Sequence, residues 1–157
     1  MRRFIMAVFS FCTAATVVSC SGKKHMKTEF TEENKAIPPT FGKDKEAVLI
    51  CVLQGRGTYD RYLKSAAKNY SGPVAFVKYD ELESDPYSDK TKYRYLFDYG
   101  SGSTVHYSNG PSVNVKRFHV VDRLENKKYE SGAEFSFFAK AMKVYMANLE
   151  TKRQSML

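Results

Sequence analysis

Gly55-Arg56-Gly57-Thr58 places two glycines, a guanidinium and a hydroxyl between an apolar run and an amphipathic one. Glycines let backbone amides approach an anion, a helix amino terminus favours negative charge, and Arg56 could complete a cradle for a phosphate or carboxylate. The stretch falls short of both the Walker and the dinucleotide fingerprints, so a plain tight turn is the simpler reading. A second candidate is the row Tyr93, Tyr95, Phe97 and Tyr99, which alternates with Arg94, Leu96 and Asp98 and would give a strand one aromatic face. Such a face can stack on a sugar or a peptide, but with eleven Tyr and eleven Phe in 157 residues it serves equally to build a core. Asp80-Glu81-Leu82-Glu83-Ser84-Asp85-Pro86 gathers carboxylates without the alternating oxygen ligands and glycine of a calcium loop, and reads as a solvated acidic loop. His25, His106 and His119 are scattered, with no metal-ligand spacing, and neither a nucleophile elbow nor a spaced carboxylate pair occurs. The expectation is a domain with no catalytic residues, no metal and no cofactor, an enzyme being the weaker reading.

One more residue invites chemistry of a different kind. Cys20 stands where an apolar run, residues 4–18, meets the polar stretch Ser21-Gly22-Lys23-Lys24. Met1-Arg2-Arg3 followed by an apolar run of this length is the pattern of an export signal, and it is short and hydroxyl-diluted for a membrane-spanning helix. The junction Val17-Val18-Ser19-Cys20 resembles the lipobox of bacterial lipoproteins, with valine where leucine is commoner at the first place. That resemblance, confined to the first twenty or so residues, implies a thioether-linked diacylglyceryl group on Cys20, cleavage before it, and acylation of the new amino terminus by a fatty chain such as palmitate. Two or more acyl chains anchor a protein stably where one does not. It also implies an envelope address. With no aspartate after Cys20 and no acidic cluster, the periplasmic face of the outer membrane is expected. Cys12 would leave with the signal, so no disulfide can form within the mature chain, and Cys51, inside the apolar run 48–53, reads as a small buried core residue.

The whole sequence carries a formal charge of +8. Export makes nucleic acid an improbable partner, and an anionic lipid surface gains from Lys23, Lys24 and Lys27 beside the anchor, on the order of 1 kcal/mol per charge. The chain divides into a signal peptide at 1–19, the acylated Cys20 with a flexible tether to residue 45, one globular domain at 46–152 and a tail at 153–157. The tether reading rests on few apolar residues and on Pro38-Pro39.

Within the domain, the apolar run 46–53 reads as a strand buried on both faces. Tyr59, Tyr62, Leu63, Ala66, Ala67 and Tyr70 recur at helical spacing behind Thr58, which can cap the helix, and Gly72-Pro73 ends it. Residues 74–77 form a second buried strand, giving a right-handed βαβ unit. Antiparallel strands follow, at 93–99, at 113–123 and near Tyr129, with turns at Gly100-Ser101-Gly102-Ser103 and Asn109-Gly110-Pro111 and a short strand at 104–108 between them. A final helix opens on a capping box of Ser131 and Glu134 and turns Phe135, Phe138, Met142, Tyr145, Met146 and Leu149 to one face. The fold class is α+β: a βαβ unit, antiparallel strands and a carboxyl-terminal helix packed on one mixed sheet. That order is similar to a thioredoxin-like core, though without its middle helix, and the loop 54–58 has no Cys-x-x-Cys for dithiol chemistry.

Together these observations lead to a membrane-anchored envelope lipoprotein whose domain binds or scaffolds an envelope protein without catalysis. The alternative is a small-molecule or glycan-binding domain, or a degenerate thioredoxin-like descendant without redox cysteines, using 55–58 or the tyrosines 93, 95 and 99.

Overall fold

The computed structural model describes residues 18–106 and 108–157; most of the expected signal peptide, 1–19, lies outside the described residues. In chain order the elements are α1 (Val18–Glu29), β1 (Leu49–Leu53), α2 (Gly57–Ala67), β2 (Val74–Lys78), β3 (Tyr95–Val105), β4 (Val113–Asp122), β5 (Lys127–Glu130) and α3 (Phe138–Gln154). The five strands form one mixed sheet in the order β2-β1-β3-β4-β5. β1 runs parallel to β2 and β3, and the pairs β3–β4 and β4–β5 are antiparallel.

β1 is apolar throughout because both sides of the sheet are covered there. Leu49 and Cys51 point into the main core with Phe97, Phe118, Tyr145 and Met142, under the helices. Ile50 and Val52 point the other way, into a smaller cluster with Val77, Leu82 and Leu96. That second cluster is roofed by the loop between β2 and β3, which Arg123 holds down. The nearly buried guanidinium of Arg123 donates to the backbone carbonyls of Tyr87, Tyr93 and Leu82. The loop contains one 3-10 turn, Tyr79–Glu81. The acidic residues Asp80, Glu81, Glu83 and Asp85 on it face water.

Four local expectations are corrected. β2 is an outer strand, half exposed instead of buried. α2 begins at Gly57 with no side-chain cap, so Thr58 does not cap it. Ser131 and Glu134 do not cap α3, which starts at Phe138; Glu134 is drawn to Ser103 and Arg117 instead. The glycines at 100 and 102 lie inside β3, which passes through a bulge between Ser101 and Thr104 and runs on to Val105. A bulge absorbs a flexible stretch without ending the strand, so turn composition alone misreads it.

The largest correction concerns the segment 20–45, read as a flexible tether. Its sparse apolar residues are all used: Met26, Phe30, Ala36, Ile37 and Phe41 are buried in the main core. Met26 on α1 and Phe30 just past its end lie four residues apart, and the Phe30 ring centroid is 4.5 Å from that of Tyr145 and 4.9 Å from that of Phe135. Asn148 on α3 donates through Nδ2 to the carbonyls of Lys27 and Phe30, satisfying the open end of α1. The Tyr145 hydroxyl donates to the Ala36 carbonyl, and Lys152 pairs with Glu32 at 2.6 Å. Further on, Gly42 adopts φ +88°, and a Cβ there would stand 2.7 Å from the Arg153 α-carbon. Thr40 joins a buried ion pair in which Arg94 Nη2 lies 2.7 Å from Asp122 Oδ2. Burial works against the Asp122 carboxylate, but the Arg94 hydrogen bonds and the amides of Glu125 and Leu124 hold its pKa below the usual range.

Candidate functional site

All three helices begin at the same end of the sheet, where β1 and β2 finish. Tyr59 in the first turn of α2 meets Phe138 at the start of α3 at 4.5 Å, and His25 on α1 lies 6.0 Å from Phe135 just before α3. At the opposite end Tyr70 sits 5.7 Å from Arg153, and Glu32 reaches Lys152. Residues 54–58 arch over the first of these ends. The carboxyl ends of parallel strands are where open α/β sheets commonly hold ligands.

Gly55 has φ +72°, a left-handed conformation that suits glycine, and Arg56 is exposed and makes no ion pair among the described residues. Asp60, in the first turn of α2, accepts the Gln54 amide through Oδ1 at 3.2 Å. The loop separates two clefts. One, of about 480 Å³, is bounded by Thr58, Tyr62, Phe137 and Lys140; the other, of about 380 Å³, lies between Gln54, Gly55, Lys78, Tyr79 and Asp80.

Beneath the loop lies a polar group that the sequence does not reveal. Gln54 donates through Nε2 to Asp98 Oδ1 at 2.8 Å and to the Tyr99 carbonyl at 2.7 Å, and the Tyr99 amide donates to the same Asp98 oxygen. Asp98 pairs across the sheet with His119, and His119 with Glu130. Burial raises the Asp98 pKa, partly offset by Gln54; burial and then Lys128 lower that of His119. His119 Nδ1 stands 3.5 Å from Glu130 Oε2, too far for a well-formed hydrogen bond, and Lys128 holds the Glu130 carboxylate. Neither cleft opens onto the pair. Its evident work is to fix Gln54 at the mouth of the second cleft.

The aromatic row does not form a ligand face. Tyr95 and Tyr99 are buried with Phe97 in the main core, and Tyr93 precedes β3 and packs on the other side of the sheet against Tyr87. Burial pushes the Tyr99 hydroxyl up to about 12, and it has no hydrogen-bond partner. Cys51 is fully buried and its thiol is likewise pushed up by burial, as a core residue requires. Cys20 falls on α1 by its backbone, and its side chain lies outside the described residues. The sequence missed Gln54, Asp98 and His119 because their meeting depends on strand register. It also missed Tyr79 and Phe137, whose only signal is their place next to a turn.

Among the described residues no group of three or more His, Cys, Asp or Glu could hold a metal, and no helix is long and apolar enough to cross a membrane. No family model, no curated protein and no solved structure matches the chain.

Proposed function

We propose that this chain is a lipid-anchored protein of the cell envelope, held at the periplasmic face of the outer membrane through Cys20, whose domain binds a protein partner without catalysis. The observation that carries the binding half is the outer strand β2. Among the described residues no strand lies beyond it in the sheet, and at its end Tyr79 is 72% exposed beside the cleft at Gln54 and Gly55. Phe76 in the strand is also exposed, lying under the Lys64 ammonium. An open edge offers unpaired amides and carbonyls to an extended segment, and adjacent aromatic side chains give such a segment anchoring contacts. The lipobox resemblance and the basic residues after Cys20 support the anchoring half.

Site-specific photo-crosslinking in intact cells tests the binding half. A crosslinker in place of Tyr79 is expected to give a discrete protein adduct that one in place of the exposed Glu125, at the β4–β5 turn, does not. No adduct from position 79, or the same adducts from both positions, would refute it.

A further inference from the structure

We infer that the groove running along α3, bordered by Lys27 of α1 and flanked at the start of α3 by the exposed rings of Phe137 and Tyr62, is a seat for an anionic bilayer, so that the domain lies on the membrane in a fixed orientation. The inference rests on the lipid-anchored reading above.

The anchor position and the Lys27 border of the groove lie on one helix, α1. Lys27 is seven residues after Cys20 on α1, a separation of about 10 Å along a helix axis. From Met26 onward α1 is docked against α3, and its carbonyls at Lys27 and Phe30 are bonded to Asn148. A lipid on Cys20 therefore anchors the chain about 10 Å, measured along α1, from the Lys27 border of the groove.

The surface presented there has the chemistry of a lipid interface. Lys27, Lys140 and Lys143 border a groove of about 640 Å³ whose floor is made by Ala139, Val144 and Ala147. None of the three lysines makes an ion pair among the described residues. The nearby carboxylates are already engaged, Asp60 with the Gln54 amide, Glu134 with Arg117 and Glu29 with His25. Beside Lys140 the Phe137 ring is 70% exposed and Tyr62 is 39% exposed. Aromatic rings projecting next to unpaired lysines suit the headgroup region, where the ring enters the acyl boundary and the ammonium groups meet phosphate. Within a Debye length of about 8 Å, each lysine adds to the attraction of an anionic surface.

Lysine footprinting on the purified full chain tests this. The protein, taken from membranes of a bacterial host, is reconstituted into phosphatidylcholine vesicles with or without phosphatidylglycerol and briefly acetylated, and each lysine is read by mass spectrometry. Lys27, Lys140 and Lys143 are expected to lose reactivity at least about threefold when phosphatidylglycerol is present, with exposed Lys45 and Lys90 unchanged and high salt restoring the signal. Equal reactivity in the two vesicles would overturn the inference, as would protection that does not need the anionic lipid. Intact mass of the same sample reports acylation of Cys20 separately. An acylated chain with unprotected lysines defeats the seat and keeps the anchor. An unacylated chain whose three lysines are still protected keeps the seat and defeats the anchor.

Discussion

Replacing Phe30 by Ala separates a docked segment from a free tether. The ring has no exposed surface, and its neighbours are Tyr145 at 4.5 Å, Phe135 at 4.9 Å and Phe118 at 5.9 Å. Truncating a buried phenylalanine costs about 3 to 5 kcal/mol through lost transfer and an unfilled cavity. The site cannot collapse easily, since Asn148 and Tyr145 hold the backbone on both sides of it. It can fail in another way, by release of 18–41 from the helices, and the cost is then limited to the docking free energy of that segment. About 3 kcal/mol is therefore the expected loss, at the lower end of the range. Urea unfolding followed by circular dichroism reads it, and hydrogen exchange at the amides of 26–30 shows whether release precedes global unfolding. A shift under about 0.5 kcal/mol, together with unprotected α1 amides in the wild type, would mean that the segment is the free tether its composition suggests.

Two further substitutions probe the charges. Glu150 binds the Ser71 amide and hydroxyl, Arg153 and Gln154, and the Arg153 hydrogen bond leads in holding its carboxyl down to about 2. A depressed carboxyl stabilises above its ordinary value and loses that contribution as pH falls through the folded one. Glu150→Gln should therefore cost about 1 to 3 kcal/mol at neutral pH, with the gap from wild type closing as urea titrations are carried from pH 5 toward about pH 2. Asp98 has the opposite sign. Burial raises its pKa, so the folded state favours the protonated form, and that advantage is lost as pH rises through the folded value. Asp98→Asn keeps an acceptor for Gln54 and the Tyr99 amide and removes the buried charge, so thermal unfolding at neutral pH should occur at the same temperature or higher. A clear loss of stability at neutral pH would show that the charge is needed by His119 and Lys128.

What the sequence discloses depends on whether a signal is local. β1 is legible because a continuous apolar run can only be covered on both sides, and α3 because Phe138, Met142, Tyr145 and Leu149 repeat at helical spacing and are all buried. The Ser131–Glu134 pair has the right spacing for a cap, yet Arg117 and Ser103 compete for the same carboxylate, and they are brought to it only by the pairing of β3 with β4. Asp98 is visible as a polar residue in an aromatic strand, but Gln54 lies just past the end of β1 and His119 on β4. The tyrosines alternate as a surface strand would, and the alternation says nothing of which face is covered.

The segment 20–45 carries the widest consequence. Composition ranks it as a linker because polar residues outnumber apolar ones, but docking requires only that the few apolar residues fall where a core has room. Met26 and Phe30 share one helix face, and Ile37 and Phe41 follow at a spacing that lets the chain wrap the end of α3. A free tether of that length would leave the orientation of the domain open, whereas the docked one shortens the link between Cys20 and the core to about two helical turns. With Cys20 anchored as proposed, orientation on the membrane becomes a property of the fold. A partner bound at β2 as proposed would meet an edge held at a set height and angle above the bilayer, and loosening Phe30 should then impair partner capture at position 79 even though the two sites do not touch.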